Sequence, residues 1–231
     1  MSKIKKYYDN YGSWYDKERT NRYYSLLSSL EINTVKSYAK NRKVLEIGCG
    51  TGLILNQINK IAKETAGIDI SEGMLKQARK KGLNVKKADV LSLPFKDSAF
   101  DVVYSFKVLA HVPKIKEAIK EITRVVKKNG ILILEFYNPF SLKYIANKIG
   151  AFFSKNTVYT RYDNYFKIKS YLPKNLKIIS IKGIRIFTPV SAVYKIPLLS
   201  ELFAFSEKAF SDTLLKFLGG YFILVLENEN K

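Results

Sequence analysis

Val44-Leu45-Glu46-Ile47-Gly48-Cys49-Gly50-Thr51-Gly52 decides how this chain is read. A short apolar run rich in branched residues has the form of a buried strand. It ends on a carboxylate and then breaks into three glycines at alternate positions. An apolar-periodic segment follows at once, carrying Leu53, Ile54, Ile58, Ile61 and Ala62. Strand, glycine-rich turn and helix in that order open a βαβ unit. Glycines belong in such a turn because the backbone must bend sharply and approach a ligand with no Cβ in the way.

A dinucleotide fingerprint, G-x-G-x-x-G, has its third glycine one place later, and Leu53 occupies that place here. The pattern is E-x-G-x-G-x-G, with Asp69 23 residues after Glu46. It resembles motif I of the class I S-adenosylmethionine (SAM) methyltransferases. The likeness is to the type 11 group of small-molecule enzymes, which includes those of ubiquinone and menaquinone biosynthesis. The resemblance implies an α/β, Rossmann-like, doubly wound seven-stranded sheet, mostly parallel with an antiparallel last strand. It also implies a helical cap built from insertions, SAM as cofactor, S-adenosylhomocysteine as product, and no metal.

Thr65 to Ile70 reads as the second strand, with Asp69 at its end. In an open parallel sheet, ligands bind outside the carboxyl ends of the strands, and a carboxylate there suits two vicinal ribose hydroxyls. Ser71 is placed to cap the next helix, Glu72–Lys81, which Gly82 ends. Val85–Ala88 is a third short strand with Asp89 at its end. By the resemblance, Glu46 lies near the methionine amino group, and Gly48 and Gly50 allow backbone approach. Asp69 takes the ribose hydroxyls, Ile70 packs on adenine, and Asp89 with Val90 meets the adenine edge. Cys49, Gly52, Met74, Ser105 and Phe106 complete the implied cofactor-binding set.

The likeness continues in order from residue 42 to 136. Asp89-Val90-Leu91-Ser92-Leu93-Pro94-Phe95 matches a D-x-x-x-L-P-F run, and Phe100-Asp101-Val102-Val103 matches the F-D-V-V of a fourth strand. The stretch Ser105 to Pro113 contains the L-x-H-V pattern that follows that strand in the family. A helix over Lys114–Val126 is expected, ended by Asn129-Gly130, and then a buried fifth strand over Ile131–Phe136. His111, the only histidine, is a candidate general base, or else a ring that bonds to backbone and fixes the loop. Tyr11 and Tyr15 are the other acid–base candidates. They belong to an aromatic-rich stretch, Tyr7 to Tyr24, which reads either as a helical staple or as a lid over the site. Its Y-Y-D-x-Y-x-x-W-Y-D pattern resembles the N-terminal segment of many small-molecule methyltransferases. An amphipathic helix over Tyr23–Ala39 follows.

Two further strands, Lys177–Phe187 and Tyr221–Leu226, close the sheet. The expected organisation is an N-terminal helical lid at 1–40, a SAM-binding core at 41–137, and a C-terminal half at 138–231. That half carries substrate-cap insertions near 138–165 and 188–218. The second insertion is strongly apolar and reads as a cap, a membrane contact or an oligomer contact.

The net charge is +20 and one cysteine is present, so no internal disulfide forms. Residues 1–138 carry 26 basic and 14 acidic side chains, and residues 139–231 carry 14 and 6. The excess is therefore spread along the chain, and a general lysine-rich surface is favoured over a nucleic-acid module. No leader pattern opens the chain and no apolar run is long enough to cross a bilayer, so a cytoplasmic protein is expected. The expected partner is a small-molecule acceptor, quinone or lipid precursors leading because the insertions are apolar, with sugars or natural-product scaffolds next. Peripheral membrane contact stays open. The competing classes are an RNA methyltransferase and a SAM-binding protein without turnover. Against the first, Ser-Phe-Lys stands where exocyclic-amine enzymes resemble one another in an N/D-P-P-Y motif, and Asn138-Pro139-Phe140 follows the wrong strand.

Overall fold

β1 (Lys43–Ile47) runs through the middle of the molecule, and its last residues deliver the glycine loop to the carboxyl edge of the sheet. The computed structural model describes residues 9, 15–17, 19–152, 159–188, 194 and 196–229. Among these, seven strands form one sheet in the order β3-β2-β1-β4-β5-β7-β6. The strands are β1, β2 (Glu64–Asp69), β3 (Val85–Lys87), β4 (Phe100–Ser105), β5 (Val126–Tyr137), β6 (Leu176–Ile184) and β7 (Tyr221–Asn228). The β1–β2, β1–β4, β2–β3 and β4–β5 pairs are parallel, and β7 runs antiparallel to both its neighbours. The chain order reverses between β1 and β4, the crevice where open α/β sheets take ligands.

The described helices are α1 (Arg22–Ala39), α2 (Leu53–Asn59), α3 (Glu72–Lys80), α4 (Ile115–Val125), α5 (Leu142–Phe152), α6 (Tyr165–Lys169) and α7 (Pro197–Phe210). Ser71 caps α3 by accepting the Met74 N–H at 3.2 Å, and Asn21 caps α1 through the Tyr24 N–H at 3.0 Å. Alternation along the strands sorts side chains onto two faces. Leu45, Ile47, Val103, Leu132 and Leu134 pack on one face with Ile115, Ile119 and Ile122 of α4. Val44, Val102, Tyr104, Ile131 and Ile133 pack on the other with Leu26, Leu27 and Val35 of α1. Because the period is two, Glu46, Tyr104, Glu135, Tyr137 and Tyr221 all fall on the α1 face. Register brings them together: Glu46 lies opposite Tyr104, and Tyr137 lies opposite Tyr221.

One expectation needs correction. Asn129-Gly130 does not end α4. The helix stops at Val125 and β5 starts at Val126, which is fully buried. Pairing jumps from Phe100↔Val126 to Val102↔Ile131, so residues 127–130 bulge opposite Asp101, with Asn129 at φ 57°. The bulge is held by Lys127 Nζ on Asp101 at 2.7 Å. The second insertion exposes part of its apolar surface. α7 turns Phe203 and Ala204 to the α1 face and leaves Leu198, Leu202 and Phe205 exposed. The segment before it is held by Glu207, which accepts the N–H groups of Ile186, Phe187 and Thr188 at 2.8–3.2 Å.

Among the described residues, no helix is long and apolar enough to cross a membrane.

Candidate functional site

The glycine loop is shaped by its own backbone. Gly48, Gly50 and Gly52 all have positive φ, the region that L side chains avoid. A Cβ on Gly48 would strike Val108, whereas one on Gly50 would meet nothing within 4 Å. The Cα of Gly50 therefore faces open space. Most of the loop's N–H groups are engaged: those of Gly48 and Cys49 reach Ile68 O at 2.7 and 2.9 Å, that of Gly50 reaches Asp69 at 2.9 Å, and that of Gly52 reaches Cys49 O at 2.8 Å. Such a loop offers no nest of free N–H groups for a pyrophosphate. It offers close approach and flanking carboxylates, which suit an adenosyl sulfonium bearing no phosphate.

Asp69 stands at the tip of β2. One carboxylate oxygen accepts the Gly50 N–H at 2.9 Å and the other accepts the Ser71 N–H at 2.8 Å. Burial raises its pKa, and these backbone bonds oppose the rise. A third backbone bond, from Ile70, leaves the carboxylate some lone-pair capacity for a further donor. Ile70 follows it directly, and Met74 is buried in the first turn of α3. Asp89 is exposed beyond β3 and accepts the Leu91 N–H at 3.0 Å, while Val90 is buried.

Glu46 is buried and receives the Tyr104 hydroxyl at 3.0 Å. Burial pushes its pKa well above the usual carboxylate range, so a cationic partner would relieve it. Ser105 is fully buried and donates to Ile47 O at 3.1 Å, and Phe106 packs on Tyr104 at 5.5 Å. These two shape the end of β4. The Cys49 thiol turns inward among Leu55, Leu75 and Leu83, where burial raises its pKa.

His111 lies in a short 3-10 turn (Leu109–His111), and its Nδ1 lies 2.8 Å from Tyr159 O. A carbonyl only accepts, so Nδ1 carries the proton. Burial lowers the ring's pKa. Tyr15 is half-buried beneath Arg19, whose guanidinium lies 4.6 Å from its ring, and burial raises the phenol's pKa. Tyr11 lies outside the described residues.

The sequence reading missed a charged chamber on the α1 face. Lys107, at φ 59° just after β4, pairs through Nζ with Glu31 of α1, and its N–H reaches Glu135 at 3.0 Å. Glu31 and Glu135 are both buried, and each keeps one oxygen with no hydrogen-bond partner. Burial pushes Glu135 up to about 8. Lys143 of α5 sits beside them, its Nζ 4.0 Å from the Tyr137 ring and 5.0 Å from that of Tyr221. Burial pushes it down to about 7. One signal was available: Glu135 interrupts an otherwise apolar strand, Ile131-Leu132-Ile133-Leu134-Glu135-Phe136. The N-terminal segment also reaches the site. Asp9 accepts from Ser71 Oγ at 2.8 Å, and Asp16 from Thr51 Oγ1 at 2.5 Å and Lys81 Nζ at 2.6 Å. Among the described residues, no group of His, Cys, Asp and Glu is placed to hold a metal ion.

Residues 45–134 match a family described as a methyltransferase domain. The ubiquinone/menaquinone biosynthesis C-methyltransferase of Campylobacter jejuni is 32% identical over 166 residues, covering 62% of this chain and 70% of that protein. An uncharacterized protein of Methanocaldococcus jannaschii is 37% identical over 147 residues, 63% of this chain. The chain spans 56–64% of the length of that relative and two others from the same archaeon. A SAM-dependent methyltransferase from Thermotoga maritima shares the fold, with a TM-score of 0.69 over 96% of this chain and 98% of that one, at 22% identity. The chain belongs to the class I SAM-dependent methyltransferases, with the seven-stranded Rossmann-like sheet of that family.

Proposed function

We propose that this chain transfers a methyl group from SAM to a small molecule with an aromatic or apolar body and a hydroxyl donor, the chemistry of a quinone or lipid precursor. One observation carries the acceptor reading. Glu31 and Glu135 each hold a buried, unpartnered carboxylate oxygen near Tyr221, whose ring packs on that of Tyr137 at 4.9 Å. A buried acceptor without a donor costs about 1–3 kcal/mol, which a hydroxyl of the substrate would recover. The ring wall suits a flat apolar body. The ubiquinone-pathway relative supports the same class.

In this reading Glu46 holds the methionine ammonium and Asp69 the ribose hydroxyls. Ile70, Met74 and Val90 wall the adenine, with Asp89 at its edge. SAM, when bound, supplies an electrophilic methyl group on a sulfonium whose departure leaves a neutral thioether. The chain's own work is to align the acceptor oxygen and exclude water. Glu135 Oε2 takes the hydroxyl proton in its ionised form, whose share grows as pH rises toward its raised pKa of about 8. Lys107 joins the two carboxylates, through Nζ to Glu31 and through its N–H to Glu135. Asp9 and Asp16 anchor the N-terminal segment as a lid over the glycine loop.

The test is label transfer from methyl-labelled SAM to a panel of hydroxylated aromatics, apolar quinols, amines and transfer RNA. Transfer to the hydroxylated aromatics that Glu135→Gln abolishes supports the reading. Label found only in RNA or only in amines would overturn it.

A further inference from the structure

Helix α5 is built inside out. A helix at a water surface buries its apolar stripe and exposes its lysines. Here Leu142, Ile145 and Ile149, spaced along one side, are 46%, 56% and 60% exposed, while Lys143 is buried at 4%. The inward side is polar because it lines the tyrosine chamber, where Lys143 Nζ also meets the Tyr162 hydroxyl at 3.4 Å. The outward side carries this apolar stripe, with Asn147 and Lys148 exposed beside it.

The apolar surface continues past α5. The buried Asn138 amide donates to Phe217 O at 2.9 Å, to Gly219 O at 2.8 Å and to Phe140 O at 3.3 Å. It thereby ties the loop before α5 to the 3-10 turn Leu214–Leu218. Tyr165 of α6 packs on Phe217 at 5.8 Å. Phe140 is 65% exposed, Phe166 80% and Leu214 83%. Exposed apolar groups joined in this way mark an interaction site.

Charge selects the occupant. From residue 139 to 185 there are ten Lys and Arg and a single acid, Asp163. Asp163 is buried and already paired with Arg161 and Lys167. Lys148, Lys169 and Lys174 are exposed. The exposed acid nearest the 3-10 turn in sequence, Asp212, lies 3.8 Å from Lys182. An apolar stripe rimmed by unopposed lysines fits an anionic lipid surface. It does not fit a second copy of the chain, since two molecules of net charge +20 would repel on contact.

We propose that the face formed by Phe140, α5, Phe166 and the Leu214 turn docks on an anionic phospholipid bilayer. The stripe enters the headgroup boundary and the lysines meet lipid phosphates. Lys143 on the opposite side of the same helix belongs to the chamber, so docking would set the acceptor site beside the membrane.

The test is sedimentation of the full chain with phosphatidylcholine vesicles, with and without phosphatidylglycerol. SAM is absent, so failure here leaves the methyl-transfer reading untouched. Binding should require phosphatidylglycerol and weaken with added salt. Ile145→Glu with Ile149→Glu should cut binding at least about tenfold without lowering the melting temperature, because both positions face outward. Lys148→Glu should weaken it without touching the stripe. Three results would overturn the proposal: no sedimentation with anionic vesicles at low salt, unchanged binding by the double variant, or a stable dimer in light scattering that the double variant dissociates.

Discussion

The Tyr104 hydroxyl donates to Glu46 Oε2 across 3.0 Å, joining β4 to β1 on the α1 face where the glycine loop begins. Tyr104 is fully buried and Glu46 nearly so. The bond opposes the effect of burial, which raises the Glu46 pKa. Tyr104→Phe removes it and pushes the carboxyl further toward its neutral form. Affinity for SAM at neutral pH should fall by about 1–2 kcal/mol, with partial recovery as the pH is raised. Isothermal calorimetry at two pH values checks both parts.

Asp69 joins the tip of β2 to Gly50 and Ser71. Asp69→Ala should weaken SAM binding by about 1–3 kcal/mol through lost ribose bonds. Unchanged affinity in calorimetry would remove Asp69 from the site.

Lys143 and Glu135 give opposite pH dependences. The folded chain keeps a proton on Glu135 between about pH 4.5 and 8 that the unfolded chain has released, so that contribution to stability is lost as pH rises to 8. The folded chain lacks a proton on Lys143 between about pH 7 and 10.5 that the unfolded chain holds, so stability rises with pH across that window. Lys143→Met should remove the alkaline rise. It should also stabilise the fold at pH 7 by roughly 1–3 kcal/mol while lowering methyl transfer, because it relieves a buried cation at the site's expense. Denaturant titrations at a series of pH values read the first effect, and label transfer reads the second.

One amide, that of Asn138, holds the carbonyls of Phe140, Phe217 and Gly219. Asn138→Ala leaves the buried Gly219 carbonyl unsatisfied and frees the two part-buried ones, and should cost about 1–3 kcal/mol. The thermal midpoint should fall by several degrees.

His111 donates through Nδ1 to Tyr159 O, and burial keeps the ring neutral. His111→Asn should cost about 1 kcal/mol of stability and leave the shape of the pH–rate profile between pH 6 and 8 unaltered. A lost inflection in that profile would instead make His111 the base.

Local chemistry made much of this protein legible. The E-x-G-x-G-x-G run, the Ser71 cap and Asp69 at the end of a β-branched strand are consequences of neighbours a few residues apart, and they carry the fold and the cofactor half of the candidate site. Glu31, Lys107 and Lys143 were not legible, because 76 residues separate the first pair and no motif marks any of the three, while Glu135 showed only as a carboxylate inside an apolar strand.

The sequence by itself determined the strand order's parent pattern, since period-two and period-3.6 burial follow from backbone geometry alone. It also determined the positions of the carboxylates at the strand tips. Only the tertiary structure decided what Tyr104, Glu135 and Tyr221 share: a face, chosen by register across β1, β4, β5 and β7. Only it decided that α5 turns a lysine inward and isoleucines outward. Amphipathic pattern tells which residues lie together on a helix, but which of two faces meets protein depends on what the rest of the chain has placed beneath it.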